Sequence, residues 1–518
     1  MRRTKMVNTI GPASNSLENL RKIIAAGADV LRLNMSHGTP AEKAAMVKDI
    51  REIAKQEGRV VAVLADLQGP KIRIACFKNE EVQLEQGADF ALNAELGRND
   101  GDEHQVGIDY RNLVNDVASG DTLLLDDGRI VLVVERVEGS KICCKVKVGG
   151  KLSDHKGINR LGGGLSANAL TDKDREDLRL SVAADVDYIG VSFVRSDADV
   201  LEAKRLIAEL GGRARVISKI ERVEAIEPET LNKIVQASDA IMVARGDLGV
   251  EIGEAYVPAA QRLIIDSARR YHRPVITATQ MLETMIHSVQ PTRAEVSDIA
   301  NAILDGTDAV MTSAETAAGD HPILVAQTMA HVCETVDEGL CDDASKVADC
   351  AARSRNCCGS RPEHTDCGTV NDCGCTTEAM VRCAVKMARC IKAKALVVFT
   401  HSGEMAFRLS AHNRVIPLVA FTDCERTWSS MALSRNVQPI LMDCACCAQQ
   451  EGSKECSAEA SDCCCCKESG CVNCRCWIKT LLDKGIVRTG DKLVVVGGCC
   501  CGDNAKEERA DALRVVTI

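Results

Sequence analysis

The hydrophobic pattern of the first 340 residues alternates between short apolar runs and longer amphipathic segments. The apolar runs predict strands with both faces buried. They are Lys5–Ile10, Val30–Asn34, Val60–Asp66, Val186–Phe193, Val216–Ile220, Ala240–Ala244, Val275–Ala278 and Ala309–Thr312. Between them, apolar residues three or four positions apart predict helices. These include Leu17–Ala26, Pro40–Glu57, Ser196–Leu210, Ala259–Tyr271 and Arg293–Leu304. Eight such repeats predict an α/β fold, a (β/α)8 TIM barrel with its helices outside.

A long connection interrupts the repeat between the third and fourth strands. It contains alternating β patterns and turn residues, which predict a small antiparallel domain. The patterns lie at Glu81–Leu84, Thr122–Leu125, Ile130–Val137 and Lys141–Val148, with turns at 126–128 and 149–150. The segment 162–164, three glycines in a row, is expected to be the flexible exit of this domain. Because the insertion lies at the active end of the barrel, it can act as a lid.

A third, smaller α/β domain is predicted from about residue 341. Its strands are expected at Ala395–Thr400, Val415–Phe421 and Lys492–Val496, and its helices at Met380–Cys390 and Ile478–Gly485. Two stretches rich in Cys, Ser, Asp and Gly, 341–376 and 444–475, have the composition of surface insertions. The predicted domains are therefore a barrel of residues 1–69 and 168–340, an inserted β lid of 70–167, and a C-terminal regulatory or assembly domain of 341–518.

Composition narrows the functional classes. The 518 residues carry a net charge of −10, which argues against a general nucleic-acid or anionic-membrane binder but leaves room for a local basic pocket. No apolar run reaches 18 residues, so no transmembrane helix is predicted. The basic start is followed by a strand and Gly11-Pro12, which is unlike a signal or transit peptide. A cytoplasmic protein is expected, with an aliphatic core because aromatics are only 2%.

The cysteines are unevenly distributed. All but three of the 28 lie at or beyond Cys333. The cluster 463–466, with Cys471, Cys474 and Cys476, could hold a soft metal as thiolates. The alternatives are redox-sensitive thiols or disulfides, and small side chains that fill surface insertions without a ligand. The spacing does not match an ordered pair of CxxC knuckles, so the sequence leaves these alternatives open.

Polar and charged residues stand where six of the predicted barrel strands end. This is the face on which barrel enzymes carry their active sites. The strand ends read 31–38 (LRLNMSHG), 66–73 (DLQGPKIR), 218–221 (SKIE), 244–249 (ARGDLG), 277–280 (TATQ) and 313–316 (SAET). Six strands with this feature together favour a functional site over a set of unrelated strand caps.

The residue types indicate a reaction class. Glu221 and Asp247 follow adjacent strands and can share one Mg²⁺, although pairing with Lys219 or Arg245 is the alternative. Gly246 allows backbone N–H groups to approach an anion. Cations at Arg32, Arg73 and Lys219 are expected to face the same cavity. Several cations and one divalent metal around an anion are typical of phosphoryl transfer. A metal-dependent aldolase or lyase would also use the carboxylates but needs fewer cations.

At these residues the sequence resembles the pyruvate kinase family. The segment 217–226 (ISKIERVEAI) looks like the family signature. Further matches follow in order at 9–14, 32–38, 242–249, 277–285, 291–295 and 305–308. The resemblance implies phosphoryl transfer from phosphoenolpyruvate to ADP, giving pyruvate and ATP, with a homotetramer as the usual assembly. Neither nucleic acid nor membrane is an expected partner. A barrel lyase and a non-catalytic regulatory relative are the alternatives, and intact Arg32, Lys219, Glu221, Asp247 and Thr279 argue against the latter.

The resemblance also implies roles for individual residues. Lys219 would stabilise the phosphoryl group in flight, and Arg32 would neutralise phosphate charge. Glu221 and Asp247 would hold Mg²⁺ or Mn²⁺. By position, Gly246, Asp247 and Thr279 would bind the substrate carboxylate, and Thr279 and the Ser313 region would lie near the proton relay. The nucleotide would be contacted by Pro12, Asn34, His37 and Lys156. Arg293 would brace the loop after strand six across a subunit interface.

Two further sites follow from the resemblance with altered residues. The family's K⁺ ligands would be Asn34, Ser36, Asp66 and the backbone of Leu67. Lys71 stands where K⁺-dependent members carry Glu, so its ammonium is expected to replace the ion and give K⁺-independent activity. The segment 400–405 (THSGEM) resembles the effector-phosphate loop, but Glu404 and Met405 put sugar-phosphate activation in doubt. The sequence leaves a phosphorylated effector of another kind open.

Overall fold

Eight parallel strands close into a barrel in the computed structural model, which describes residues 2–342, 376–442, 476–497 and 512–518. The strands of the whole described chain are β1 Lys5–Ile10, β2 Val30–Asn34, β3 Ala62–Asp66, β4 Glu81–Leu84, β5 Asp89–Asn93, β6 Gln105–Gly107, β7 Thr122–Leu125, β8 Ile130–Glu138, β9 Lys141–Val148, β10 Gly150–Ser153, β11 Ile158–Arg160, β12 Tyr188–Val191, β13 Arg215–Ile220, β14 Ala240–Ala244, β15 Val275–Ala278, β16 Ala309–Thr312, β17 Ala395–Phe399, β18 Leu418–Thr422, β19 Val437–Leu441, β20 Lys492–Gly497 and β21 Ala512–Thr517. The barrel order is β1-β16-β15-β14-β13-β12-β3-β2, which confirms the predicted (β/α)8 architecture.

Helices connect the barrel strands and flank the C-terminal sheet. They are α1 Leu17–Ala26, α2 Pro40–Gln56, α3 Leu113–Asp116, α4 Asp172–Ala183, α5 Asp197–Glu209, α6 Pro228–Ala237, α7 Arg245–Ile252, α8 Val257–Arg270, α9 Arg293–Asp305, α10 Ala314–Ala317, α11 Pro322–Asp342, α12 Thr376–Cys390, α13 Glu404–His412, α14 Glu425–Ser430 and α15 Cys476–Asp483. Capping boxes fix where several of them begin, as at Thr39 with Glu42 and at Thr292 with Glu295. Each helix thus starts at a set distance from the strand before it.

The barrel strands are buried on both sides, as their apolar runs predict. Strands β3, β12, β14, β15 and β16 are buried at every position. The fourth barrel strand is shorter than predicted, because Phe193 adopts a positive φ of 55° and turns the chain after Val191. Among the described residues, no helix combines the length and the apolar composition that a membrane crossing requires.

The inserted domain is a mixed sheet rather than a wholly antiparallel one. Its six strands are ordered β11-β7-β8-β9-β5-β6, and β4 pairs separately with β10. All of its ladders are antiparallel except β5 with β6, which run parallel. The prediction of a purely antiparallel lid was wrong here because the 11 residues between Asn93 and Gln105 carry the chain back to the start of the edge strand.

The C-terminal domain is a five-stranded sheet ordered β19-β18-β17-β20-β21. The sequence analysis missed its two edge strands, β19 and β21. Pro439 within β19 weakens the strand pattern, but an edge strand tolerates a residue without an N–H. The predicted strand from Val415 begins only at Leu418, directly after Pro417. The Cys-rich stretches lie outside the described residues, apart from the backbone of residues 341 and 342, which end α11, and Thr376, which begins α12.

The C-terminal domain closes the N-terminal end of the barrel. Ala432 and Leu433 are buried in the same apolar cluster as the inward-facing barrel side chains. The Tyr188 hydroxyl donates to the carbonyl of Ser430 at 2.7 Å. The buried Arg435 guanidinium lies 2.7 Å from Asp337 at the end of the barrel segment. The opposite, C-terminal end of the barrel therefore stays free for a site.

Candidate active site

Buried charged groups meet at the C-terminal ends of β2, β3 and β13. Arg32 Nε donates to Asp66 Oδ2 at 2.6 Å. The Lys219 ammonium lies 3.4 Å from Asp66 Oδ1 and 2.9 Å from Glu221 Oε1, and donates to the Ser192 hydroxyl at 2.8 Å. Burial lowers the pKa of Lys219, but Asp66 and Glu221 outweigh it and hold the pKa above its ordinary value. Lys219 therefore stays charged.

Glu221 is fully buried at the centre of this cluster. Its Oε2 accepts from the N–H of Phe193 at 2.6 Å, whereas Oε1 has no partner in hydrogen-bond geometry despite the nearby ammonium. Burial raises the pKa of the Glu221 carboxyl above its ordinary value, which Lys219 opposes and Asp247 reinforces. By contrast, the pKa of Asp66 is lowered, because Lys219 and Arg32 outweigh its burial. Glu221 is thus a carboxylate that the protein alone leaves incompletely neutralised.

Asp247 lies on the first turn of α7, directly after β14. Its Oδ1 is 3.2 Å from the Lys71 ammonium, and about a quarter of its side chain is exposed. Arg245, which the sequence offered as a possible partner for these carboxylates, instead donates to Asp298 at 2.7 Å. The alternative that these carboxylates pair with Lys219 or Arg245 therefore holds in part. Glu221 pairs with Lys219, but Asp247 pairs with Lys71.

Thr279 is held in a strained conformation beside Gly246. Its φ of 70° is rare for a β-branched residue and costs on the order of 1–3 kcal/mol. The Thr279 hydroxyl donates to the carbonyl of Ala278 at 2.6 Å and accepts from the N–H of Gly246 at 3.0 Å. Arg245 also donates to the carbonyls of Ala278 and Thr279. These contacts fix the threonine hydroxyl next to the start of α7.

The glycine at 246 is not demanded by the packing of the protein itself. A Cβ at this position would meet only Thr279, at ordinary distances of 3.7 Å or more. A single added carbon at residue 246 would therefore be in ordinary van der Waals contact with Thr279, without a clash.

The donor set of Glu221 and Asp247 fits a hard divalent cation. Mg²⁺ and Mn²⁺ prefer carboxylate oxygens, and these ions are usually held by one or two carboxylates with the remaining positions left to substrate and water. Glu221 Oε1 is a buried oxygen without a hydrogen-bond partner, and Glu221 and Asp247 follow the paired strands β13 and β14. The two residues are thus suited to the metal role that the resemblance implies.

The residues expected around a nucleotide are less tightly fixed. Pro12 and His37 are exposed on loops at the same end of the barrel, and Asn34 accepts from the N–H of Ser36 at 3.0 Å. Lys156 of the inserted domain lies 2.8 Å from Asp126, also in that domain. Arg73, expected to aim at the cavity, instead donates to the carbonyl of His155 at 2.9 Å. The lid cations therefore pair within the lid in this conformation.

Two oxygens of the predicted monovalent-cation ligands already accept hydrogen bonds. Arg32 occupies Asp66 Oδ2, and the carbonyl of Leu67 accepts from the Ser192 hydroxyl at 2.7 Å. Lys71, which ends on Asp247, adds a fixed positive charge to this edge of the site. Of the other predicted residues, Ser313 is half-buried directly after β16, and Arg293 is exposed at the start of α9.

The sequence analysis missed three residues that organise the site. Ser192 bonds Lys219, Thr9 accepts from Arg32 at 3.0 Å, and Arg245 fixes the loop of Thr279. Ser192 directly follows β12, the fourth barrel strand, and Thr9 is the last residue but one of β1. Both therefore stand at strand ends, which is a signal that the sequence contains. The role of Arg245 depends on contacts with a distant segment, for which the sequence has no local signal.

The loop that resembles an effector site is held by hydrogen bonds within the loop and to neighbouring residues such as Thr427, whose hydroxyl donates to the carbonyl of His401 at 2.6 Å. The N–H of Gly403 donates to the Thr400 hydroxyl at 2.9 Å, and the N–H of Glu404 to the Ser402 hydroxyl at 3.2 Å. Glu404 is 3.0 Å from Arg408 and 3.4 Å from Arg273, and Met405 is buried. Glu404 thus takes up cations that could otherwise serve an anionic effector.

The fold and the site together define a barrel enzyme of phosphoryl transfer, with cations and two metal-type carboxylates under an inserted β domain. Residues 1–326 match the family "Pyruvate kinase, barrel domain", and residues 378–516 match "Pyruvate kinase, alpha/beta domain". The chain is 43% identical over 500 residues to pyruvate kinase II of Salmonella typhimurium, covering 96% of this chain and 95% of that protein. It is 41% identical to the pyruvate kinase of Haemophilus influenzae, with 96% of each chain covered, and 37% identical to that of Thermotoga maritima, again with 96% of each covered. The chain belongs to the pyruvate kinase family.

Proposed function

We propose that the residues at the barrel's C-terminal end transfer the phosphoryl group of phosphoenolpyruvate to ADP. The observation that carries the assignment of roles is the Lys219 ammonium, buried between Asp66 and Glu221 and 2.8 Å from the Ser192 hydroxyl. A fixed, fully charged ammonium in a site of low dielectric stabilises developing negative charge without reorganising. Lys219 would therefore stabilise the phosphoryl group as it leaves the enolate oxygen.

The start of α7 would orient the substrate. The backbone of Gly246 and Asp247, with the Thr279 hydroxyl 3.0 Å from the Gly246 nitrogen, would bind the substrate carboxylate. Arg32 would neutralise phosphate charge from the other side, with its guanidinium oriented by Asp66 and Thr9. Thr279 and the Ser313 region would lead a proton to the enolate.

Glu221 and Asp247 would hold Mg²⁺ or Mn²⁺. When bound, such an ion supplies Lewis-acid stabilisation to the oxygens of the reacting phosphoryl group. The support for this assignment is the buried Glu221 oxygen that has no hydrogen-bond partner, and the position of both carboxylates directly after the paired strands β13 and β14. Mg²⁺ titration monitored by calorimetry on the Glu221→Gln variant tests it, since the variant is expected to lose the site.

Pro12, Asn34, His37 and Lys156 would contact the nucleotide. Lys156 belongs to the inserted domain, so its Asp126 pair must open before its ammonium can reach a phosphate. The proposed domains are a barrel of 1–69 and 168–340, a lid of 70–167 and a C-terminal domain of 341–518. Lys156→Ala is expected to raise KM for ADP more than KM for phosphoenolpyruvate.

We also propose that the activity does not require K⁺. The Lys71 ammonium, 3.2 Å from Asp247, provides a fixed positive charge, and oxygens of Asp66 and Leu67 that would serve K⁺ already accept hydrogen bonds. The assay compares turnover in KCl with turnover in a quaternary ammonium salt at equal ionic strength. A large rate increase in KCl would rule the proposal out.

A single assay tests the reaction itself: pyruvate formation from phosphoenolpyruvate, with and without ADP and Mg²⁺. Turnover that needs both is the expected result. Pyruvate release without ADP would indicate hydrolysis of the phosphate ester by water in place of transfer, and no turnover would favour a barrel lyase or a non-catalytic relative. By analogy with the family, the protein is proposed to be a homotetramer with Arg293 at a subunit interface. A cytoplasmic location is proposed because the family's reaction belongs to glycolysis. Sedimentation velocity on the wild type and the Arg293→Ala variant tests the assembly.

A further inference from the structure

Two histidines and a glutamate meet where the C-terminal domain packs against the barrel. His272 follows α8 of the barrel, Glu378 lies in the first turn of α12, and His412 ends α13. The Nε2 atom of His272 is 3.4 Å from Glu378 Oε2, and Nε2 of His412 is 2.7 Å from Oε1. One ligand atom from each residue lies within 4.8 Å of the other two. None of the three belongs to the site described above.

The residues of this cluster contact one another as ion pairs, but two of their polar atoms lack a partner in hydrogen-bond geometry. Glu378 Oε2 and His412 Nε2 are buried and have no partner in hydrogen-bond geometry. Arg382 donates to Glu378 Oε1 at 2.8 Å, which leaves Oε2 facing His272. Buried polar atoms normally have a partner, so these two point to a missing one.

We propose that His272, Glu378 and His412 bind a divalent transition-metal ion of the Zn²⁺ type. Two imidazole nitrogens and one carboxylate oxygen are a donor set that Zn²⁺ accepts, with a fourth position for water. Zinc bonds of about 2.0–2.1 Å imply donor atoms about 3.3 Å apart in a tetrahedron, close to the 3.4 Å between His272 and Glu378. Mg²⁺ and Ca²⁺ prefer oxygen ligands, so nitrogen donors disfavour them.

The local charge sets a limit on the affinity. Arg382 and Arg408 both lie near Glu378, and the Arg408 guanidinium is 4.0 Å from Oε2. Glu404, 3.0 Å from Arg408, offsets part of that positive charge. The site is therefore expected to bind more weakly than thiolate sites, and its ion would displace the close contact of His412 with Glu378.

A bound ion would tie the C-terminal domain to the barrel. His272 is a barrel residue, whereas Glu378 and His412 come from two helices of the C-terminal domain. Helix α13 begins at Glu404, directly after the loop of Thr400 to Gly403. Metal binding at the far end of α13 would thus fix the helix that carries the loop resembling an effector site.

The test is a Co²⁺ titration of the reduced, full-length protein in saturating Mg²⁺, followed by absorption spectroscopy. It compares the wild type with His412→Gln and with His104→Gln, a matched histidine change in the inserted domain at a side chain 80% exposed. In the wild type and His104→Gln, an equivalent of Co²⁺ is expected to give intense four-coordinate ligand-field bands, with no thiolate charge transfer in the difference spectrum against His412→Gln. His412→Gln is expected to bind it at least tenfold more weakly.

Equal binding by all three proteins, or no such equivalent in the wild type, would overturn the proposal. Bound Co²⁺ that always shows thiolate charge transfer would do the same, because it would assign the metal to cysteines. Circular dichroism checks the fold of His412→Gln, whose side chain is 29% exposed in the wild type. If that variant is misfolded, Glu378→Gln replaces it, since an amide still accepts from Arg382.

Discussion

Replacing Lys219 with methionine tests the site most directly, because it removes the charge and keeps most of the side-chain volume. The wild-type ammonium lies 2.9 Å from Glu221 and 3.4 Å from Asp66. At an effective dielectric constant of about 20, these attractions amount to roughly 6 and 5 kcal/mol. Arg32 still neutralises Asp66, and Glu221 can take up a proton because burial already raises its pKa. The net loss is therefore nearer the 3–5 kcal/mol typical of a broken buried ion pair.

Two measurements follow from this perturbation. Turnover of phosphoenolpyruvate with ADP and Mg²⁺ is expected to fall about 10³-fold, or about 4 kcal/mol in activation free energy, while the substrate still binds in calorimetry. The free energy of unfolding in the absence of metal is expected to fall by about 3–5 kcal/mol. Trp428 and Trp477 both lie in the C-terminal domain, so far-ultraviolet circular dichroism, rather than tryptophan fluorescence, has to report on the barrel.

The matched control is Lys204→Met. Lys204 pairs with Asp239 at 2.9 Å, but both side chains are partly exposed, so the expected loss of stability is about 0–1 kcal/mol with no change in turnover. Unchanged turnover in Lys219→Met would refute the phosphoryl-stabilising role. A stability loss no larger than that of the control would refute the claim that Glu221 depends on this ammonium.

Four other changes have definite expected outcomes. Gly246→Ala should raise KM for phosphoenolpyruvate tenfold or more while leaving the unfolding free energy within about 1 kcal/mol, because the added Cβ meets no protein atom closer than 3.7 Å; a stability loss with unchanged KM would contradict this. Lys71→Glu should make turnover depend on K⁺, measured against a quaternary ammonium salt, and equal rates in both salts would count against it. Burial raises the pKa of Glu251 to about 7, so the folded state favours the protonated carboxyl and loses stability as pH rises from about 4.5 to 7. Glu251→Gln should remove roughly 3 kcal/mol of that loss, measured by urea unfolding. Parallel pH profiles of unfolding free energy for the wild type and the variant would contradict this. Leu433→Ala should lower the unfolding free energy by about 2–5 kcal/mol, since the side chain is fully buried at the end of the barrel; a change below 1 kcal/mol would show that the barrel end is not sealed there.

Much of the site could be predicted because a parallel barrel places equivalent strand ends on one face. Once eight apolar runs are located, Arg32, Asp66, Lys219 and Glu221 must share that face, whatever the loops between them do. The structure brings these four together within direct contact, as that argument requires. The same rule places Ser192, directly after the fourth barrel strand, on that face.

The sequence by itself determined the order of strands and helices in the barrel, the insertion after the third barrel strand, and which residues stand at the strand ends. These depend on local hydrophobic patterns and on one rule of topology. Tertiary structure alone decided the partners: Lys71 with Asp247, 176 residues apart, and His272 with Glu378 across two domains. It also made the inserted sheet mixed and placed Leu433 at the end of the barrel. Charges and apolar side chains far apart in the chain can choose among many partners, and only the packing of whole domains selects one.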